Sequence, residues 1–133
     1  MIFVDTGAWI ARFSRRDQYH EPAAKSWAKL RTSNKRIVTS DSVFVETITF
    51  LARNVSSSAA VEAGRFLHGW SKLTILRATM EDEAAAIALL EKFADQSIGF
   101  ADCLSFALMR RHRIPTAFTF DRHFELAGFS VIR

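Results

Sequence analysis

Five short apolar runs are the feature of this sequence that most restricts its fold. They predict strands at Ile2–Asp5, Ile37–Thr39, Leu73–Leu76, Ala117–Phe120 and Ser130–Ile132. The runs are too short for stable helices, and they largely lack the alternation of apolar and polar residues that marks a strand with one solvated face. The segments between the first four runs are long enough to form helices, which are the usual crossovers between parallel strands. The sequence therefore predicts an α/β fold in which helices cover both faces of a parallel sheet.

Seven helices are predicted around these strands. They cover Thr6–Phe13, Tyr19–Arg31, Ser42–Arg53, a segment from Ser56–Ser58 to about Trp70, a long segment that begins at Thr79, a segment from Gly99 to about Arg113, and a single turn at Phe124–Ala127. In the long helix, Met80, Ile87 and Leu90 lie at the spacing of an apolar helix face. Asp82, in its first turn, is interpreted as a complement to the helix dipole. Because no linker, repeat or low-complexity segment divides the chain, residues 1–133 are predicted to form a single domain.

Composition and charge narrow the class of protein. The net charge is +4, and residues 1–36 carry eight lysines and arginines against three acids, a balance that suits either a polyanion such as RNA or an ordinary solvated helix surface. The single cysteine, Cys103, excludes an intrachain disulfide and a cysteine-based zinc site. No apolar stretch has the length of a signal-peptide core or of a membrane helix, so a soluble protein of the cytoplasm is expected.

Four acidic residues stand among apolar neighbours. Asp5 and Asp121 each close an apolar run, which places them at the carboxyl ends of strands, where open α/β sheets bind their ligands. Glu46 and Asp102 lie within apolar helical segments, and a buried carboxylate costs several kcal/mol unless it has a partner. One explanation treats each acid separately: Asp5 and Asp121 as helix N-caps, and Asp102 and Glu46 as partners of buried arginines. The other is a single divalent cation, since Mg²⁺ and Mn²⁺ prefer oxygen ligands.

Histidine offers no competing metal site. The four histidines show no metal-ligand spacing, and structural or surface roles are expected for them: His20, His68, His112 and His123.

Taken together, four segments resemble the PIN-domain nucleases and, more narrowly, the VapC toxins of prokaryotic toxin–antitoxin pairs. They are Ile-Phe-Val-Asp5-Thr6, Ser-Val-Phe-Val-Glu46, Gly-Phe-Ala-Asp102-Cys-Leu and Thr119-Phe-Asp121-Arg-His-Phe. An acid after an apolar strand is common, but all four in this order within so short a chain are specific. The resemblance extends over essentially the whole sequence.

The resemblance implies a particular sheet and site. The fold would be a three-layer α/β/α sandwich with a five-stranded parallel sheet in the order 3-2-1-4-5. Asp5 and Asp121 would then share a crevice that Glu46 and Asp102 enter from flanking helices. Thr119 matches a Ser/Thr position that supports the site, and Thr6 matches a small polar position beside the first acid. Asp95 is interpreted as a surface residue.

The resemblance also implies an activity. The four acids would hold one or two Mg²⁺ or Mn²⁺ ions that activate water for hydrolysis of RNA phosphodiesters, with tRNA or another structured RNA as substrate. Arg12, Arg15 and Arg16, which follow the first acid, are predicted to bind flanking phosphates. A homodimer and a small antitoxin protein are the expected partners, although a stand-alone RNA-processing nuclease would have a similar sequence.

Other classes of protein share parts of this sequence pattern. The principal alternative is a PIN-like fold without catalysis that serves as an RNA- or protein-binding module. Asp5-Thr6-Gly7 also matches the active-site triplet of aspartic proteases. Those folds are almost wholly β and have glycine-rich flaps, whereas this chain has long predicted helices and only five glycines. Phosphatases and receiver domains also have an Asp after the first strand, but they use a lysine near the final strands, and residues 114–132 contain none.

Overall fold

The computed structural model describes all residues from Met1 to Arg133 and contains one parallel sheet. Its strands are β1 (Ile2–Val4), β2 (Ile37–Ser40), β3 (Leu73–Leu76), β4 (Thr116–Phe118) and β5 (Ser130–Ile132). All neighbouring strands are parallel, and their order across the sheet is β3-β2-β1-β4-β5. The predicted α/β class and strand order are confirmed.

Seven helices and one 3-10 turn connect these strands. The helices are α1 (Thr6–Phe13), α2 (His20–Thr32), α3 (Asp41–Asn54), α4 (Ser57–Gly69), α5 (Met80–Lys92), α6 (Phe100–Arg111) and α7 (His123–Leu126), and the 3-10 turn is Ala94–Gln96. Helix α1 packs on α2 and α3, α3 packs on α4, and α5 packs on α6. The structure contains no helix with both the length and the apolar character needed to cross a membrane.

Burial of the central strand shows that helices cover both faces of the sheet. Ile2, Phe3 and Val4 are all at most 2% exposed. Because successive side chains of a strand point to opposite faces, a run of three buried residues requires cover on both sides. Two tryptophans fix the first helix on this core: the indole of Trp9 donates to Thr39 Oγ1 (3.2 Å), and that of Trp27 donates to the carbonyl of Ala8 (3.1 Å).

The register of β1 and β4 brings the ends of these two strands together. Ile2 pairs with Thr116 and Val4 pairs with Phe118, so Asp5 and Thr119 follow at the same edge of the sheet. The strand that follows β1 in the chain, β2, lies on the other side of β1. The edge beyond β1 and β4 is therefore the point where the direction of strand addition reverses, and α/β folds usually bind their ligands in the crevice there.

Helix α5 does not pack as its apolar spacing suggested. Met80 is 82% exposed and Ile87 is 59% exposed, whereas Asp82, Ala86 and Leu89 are buried. The buried side includes an ion pair that the sequence did not reveal: Arg111 of α6 donates from Nε and Nη2 to the two carboxylate oxygens of Asp82, at 2.7 and 2.8 Å. The interpretation of Asp82 as a complement to the helix dipole was therefore incomplete.

The Asp82 pair leads to a stability prediction. The hydrogen bond from Arg111, which outweighs the cost of burial, and those from Thr79 lower the pKa of Asp82 from 3.8 to about 2. Since the folded-state value lies below the ordinary one, the stabilisation is complete above about pH 4 and is lost as the pH falls towards 2. We expect Asp82→Asn to lower the free energy of unfolding at pH 7 by about 1 to 3 kcal/mol, measured by urea denaturation.

A matched control is available in the same helical turn. Glu83→Gln removes one negative charge from the same first turn, and Glu83 is exposed and forms no ion pair. If both variants lost the same stability, the helix dipole and not the Arg111 pair would account for the effect.

Candidate active site

Asp5 lies where β1 ends and α1 begins. Its backbone amide donates to the carbonyl of Phe118 (3.0 Å), which continues the pairing of β1 with β4. Although Asp5 occupies the N-cap position of α1, its side chain makes no capping hydrogen bond. Its Oδ2 instead accepts a hydrogen bond from the hydroxyl of Thr119 (2.8 Å), and the residue is only 8% exposed. Helix capping therefore does not explain Asp5.

Glu46 reaches the same place from α3. The hydroxyl of Thr6 donates to Glu46 Oε2 (2.9 Å), which fixes the carboxylate beside the start of α1. The expectation that Glu46 would be buried was wrong: the buried side of α3 consists of Val43, Thr47 and Leu51, and Glu46 is exposed. The preceding Val45 is also exposed, at 61%, and Glu46 lines a cleft.

Asp102 and Asp121 complete the group. Asp102 lies in the first turn of α6 and is partly buried. Asp121 follows β4, and its backbone amide donates to Thr119 Oγ1 (3.0 Å), so that one buried threonine hydroxyl contacts both Asp5 and the Asp121 backbone. Asp121 Oδ1 also accepts from the amide of His123 (2.8 Å), but the N-cap residue of α7 is Arg122, so the capping role expected for Asp121 is wrong.

These side chains line a single cleft of about 440 Å³. Its wall is made of Asp5, Thr6, Gly7, Ile10, Tyr19, Glu46, Phe50, Asp102, Phe120 and Asp121. The structure thus brings together all four acids that the sequence singled out, with the two threonines as their hydrogen-bond donors.

The cleft concentrates negative charge, and no lysine or arginine lines it. Burial raises the pKa of Asp5 to about 6, and the charges of Glu46 and Asp121 add to this, against the hydrogen bond from Thr119. Burial first, and then the charges of Asp5 and Asp121, raise the pKa of Asp102 to about 7. The two arginine ion pairs of the chain join Arg111 to Asp82 and Arg133 to Glu125. The alternative that buried arginines pair with Asp102 and Glu46 is therefore wrong.

His123 belongs to this site, and the sequence reasoning missed it. Its Nδ1 lies 3.0 Å from Asp121 Oδ1, and ligand atoms of Asp102, Asp121 and His123 all lie within 4.8 Å of one another. Spacing between histidines gave no hint of this. The available signal was the Asp-Arg-His sequence directly after a strand, because an Asp side chain often accepts a hydrogen bond from the backbone amide two residues on and so holds that residue close to it.

The remaining predicted residues lie elsewhere. The guanidinium of Arg12 lies over aromatic rings, 4.8 Å from the centre of Phe66, and Arg15 and Arg16 are exposed in the turn before α2. None of the three arginines lines the cleft. Asp95 is exposed in the 3-10 turn and is also absent from the cleft.

The donor set fits a divalent cation. Carboxylate oxygens are the ligands that Mg²⁺ and Mn²⁺ prefer, and Mn²⁺ also accepts imidazole nitrogen. Two carboxylates with raised pKa values and no basic partner form an arrangement that a cation stabilises. Asp5, Asp102, Asp121, Glu46 and His123 are the residues that can supply ligands.

Comparison with known proteins gives one consistent family. The sequence profile of the PIN domain matches residues 2–130. The chain is 34% identical over 133 residues to the 23S rRNA-specific endonuclease VapC20 of Mycobacterium tuberculosis, a match that covers 100% of this chain and 98% of that protein.

Two crystal structures extend the comparison. That of VapC20, described as a Sarcin-Ricin loop cleaving toxin, superposes with a TM-score of 0.91 at 32% identity, covering 100% of this chain and 99% of the other. FitAcB from Neisseria gonorrhoeae superposes with a TM-score of 0.73 at 20% identity, covering 100% and 97%, a likeness of fold alone. The profile match over nearly the whole length and the full-length identity to VapC20 show that this chain belongs to the PIN-domain family.

Proposed function

We propose that this protein is an endoribonuclease of the VapC toxin type that hydrolyses RNA phosphodiesters with the help of Mg²⁺ or Mn²⁺. The observation that carries the proposal is the cleft in which Asp5, Glu46, Asp102 and Asp121 meet without any lysine or arginine to balance them. A module that only binds RNA has no use for such a cleft, because its negative charge repels phosphates. The full-length identity to an endonuclease supports the same conclusion.

Each residue of the site has a distinct task in this proposal. Asp5, Asp102 and Asp121 hold the divalent ion, which when bound supplies a Lewis acid that activates water and stabilises negative charge on the phosphate. Thr119 holds Asp5 in place, and His123 orients Asp121. Such supporting partners fix the direction of a ligand's lone pairs and typically contribute roughly 10- to 100-fold to affinity or activity.

Glu46 is placed for proton transfer. Thr6 holds one of its oxygens, while Oε1 accepts no hydrogen bond from the protein. Because Glu46 lines the cleft, this free oxygen can accept a proton from the attacking water there. The products would then carry a 5′-phosphate and a 3′-hydroxyl.

The substrate proposal follows the full-length relative. VapC20 is named as specific for 23S rRNA, and we propose 23S rRNA, at its Sarcin-Ricin loop, as the first RNA to test here. tRNA, another structured RNA, is the second. The net charge of +4 favours a polyanionic substrate, and Arg15 and Arg16 are exposed and available for phosphate contacts.

The partners are proposed on the same basis. Because the relative is described as a toxin, we propose that a cognate antitoxin protein binds this chain and blocks its cleft. We further propose that residues 1–133 act as one nuclease domain, that two copies form a homodimer, and that the protein works in the cytoplasm.

The test is cleavage of defined RNAs by the purified protein. We expect cleavage of 23S rRNA in ribosomes at one site, mapped by primer extension, in the presence of Mg²⁺ or Mn²⁺ and complete loss in EDTA. Asp95→Asn, which removes an exposed acid outside the cleft, should cut at the wild-type rate. Cleavage that persisted in EDTA, or that was absent from 23S rRNA and tRNA alike at all metal concentrations, would overturn the proposal.

A further inference from the structure

Two aromatic rings form part of the wall of the acidic cleft. Tyr19 and Phe120 are stacked face to face, with ring centres 4.2 Å apart and an angle of 4° between the planes. Both line the cleft together with the acids, and Phe120 lies between Thr119 and Asp121 in the chain. The pair therefore lies immediately beside the proposed reaction centre.

The pair is supported from the core side. Phe120 packs edge-on against Phe118, with ring centres 6.0 Å apart, and Phe118 in turn packs against Trp27 at 5.0 Å. Phe118 and Trp27 are at most 3% exposed. The row of rings thus runs from the buried core outwards and ends at Tyr19.

The backbone at Tyr19 is also fixed. Its amide donates to Asp17 Oδ2 (3.0 Å), the amide of His20 donates to the carbonyl of Asp17 (3.0 Å), and the His20 ring donates to the carbonyl of Ala11 (2.7 Å). A turn secured in this way holds the Tyr19 ring in position without a ligand, so ordering it costs a stacking partner little free energy.

Packing alone does not account for Tyr19. The residue is 37% exposed, its hydroxyl makes no hydrogen bond within the protein, and Phe120 is the aromatic ring it contacts. An aromatic side chain that served only the core would be buried more fully. Its exposed surface faces the cleft that it lines.

We propose that the Tyr19–Phe120 pair is a stacking platform for the nucleobase next to the scissile phosphate. The inference rests on the proposed nuclease function, because the acids fix where the phosphate lies and the groups then within reach are the sugars and bases beside it. Bases unstacked from RNA loops commonly stack on aromatic side chains, a contact that does not depend on base identity. Tyr19 thereby acts as a binding residue for the substrate.

The test compares two substitutions that both keep an apolar side chain over Phe120. Tyr19→Phe keeps the aromatic face, whereas Tyr19→Leu keeps an apolar cover on Phe120 and removes the face. With the RNA that wild type cleaves, we expect Tyr19→Phe to match wild type and Tyr19→Leu to raise KM at least about fivefold with little change in kcat. Melting temperatures of both variants close to that of wild type would show that the fold is intact.

A second substrate series identifies the stacked base. In RNAs that carry one abasic nucleotide at successive positions around the cut, a single position should remove the difference in KM between Tyr19→Leu and Tyr19→Phe. If the two variants had the same KM on the intact RNA, the platform would be overturned even though cleavage proved the nuclease. If wild type cut no RNA, the proposed function would fail first. The binding of a labelled single-stranded RNA in EDTA, measured by fluorescence anisotropy, would then test the stacking platform. Equal affinities of Tyr19→Leu and Tyr19→Phe would overturn it, and weaker binding by Tyr19→Leu would support it.

Discussion

Replacing Asp5 by asparagine is expected to reduce RNA cleavage by more than about 100-fold while leaving the protein folded. The lower bound comes from metal sites in general, where even residues that only orient a ligand contribute roughly 10- to 100-fold, so the loss of a ligand should cost more. Divalent-ion binding should weaken in parallel. The measurements are kcat/KM on the cleaved RNA and calorimetric titration with Mn²⁺.

The same variant should be more stable than wild type when no divalent ion is present. The asparagine side chain would still accept the hydrogen bond from Thr119, which holds the Asp5 carboxylate at 2.8 Å in wild type, but the buried negative charge would be gone. Burial and the nearby acids raise the pKa of Asp5 to about 6, so its ionised form destabilises the folded protein at a pH above that value. We expect a gain of about 1 to 3 kcal/mol in the free energy of unfolding in EDTA at about pH 7.5.

A loss of activity together with a gain in stability separates a functional acid from a structural one. A salt-bridge partner would lose stability on this change, as expected for Asp82→Asn, and a helix cap would change little because Asn caps a helix about as well as Asp. Asp95→Asn serves as the control for loss of an acid outside the cleft and should alter neither quantity. An Asp5→Asn protein that bound Mn²⁺ and cut RNA as wild type does would remove Asp5 from the proposed site.

The sequence predicted the sheet and the position of two acids for a single physical reason. In a parallel sheet all strands end at one edge, so acids that close apolar runs must share that edge. That Asp5 and Asp121 are also neighbours depends on the pairing of β1 with β4, which the resemblance to PIN-domain nucleases implied and the structure confirms. Short apolar runs identify such strands well because both faces are buried and no polar position interrupts them.

Properties that depend on how helices pack could not be read in the same way. The exposed position of Glu46 depends on which side of α3 meets the core, and the apolar residues on both sides of this helix left that open. The burial of Asp82 depends on Arg111, which comes from another helix. His123 and the Tyr19–Phe120 pair follow from turn geometry and from contacts between distant residues, and neither leaves a periodic pattern in the sequence.

Without divalent ions, the stability of the wild-type protein should fall as the pH rises from about 5 to 8. The folded-state pKa values of Asp5 and Asp102, about 6 and about 7, lie above the ordinary value of 3.8. Between pH 3.8 and these folded-state values the folded protein holds more protons than the unfolded chain. The free energy of unfolding therefore decreases as the pH rises, and the decrease ends above the folded-state pKa values. Asp82 does not contribute in this range, because its pKa of about 2 keeps it ionised throughout.

Mg²⁺ or Mn²⁺ should reverse this trend. At about pH 8 the acids are ionised and a cation relieves their repulsion, whereas at about pH 5.5 protons compete for the same oxygens. We therefore expect a saturating concentration of Mn²⁺ to raise the melting temperature more at the higher pH than at the lower. Thermal unfolding in EDTA and in Mn²⁺ at both pH values measures the difference.

The Asp5→Asn variant separates the contribution of the acidic cleft to this pH dependence from that of all other groups. Wild type and variant share all four histidines, so the difference between their stability curves reports the acidic cleft. That difference should grow from about pH 5 to about pH 8 in EDTA and shrink when Mn²⁺ is added. If the difference were constant with pH and unaffected by Mn²⁺, Asp5 would have the same pKa in the folded and the unfolded protein, and the proposed cation site would be overturned.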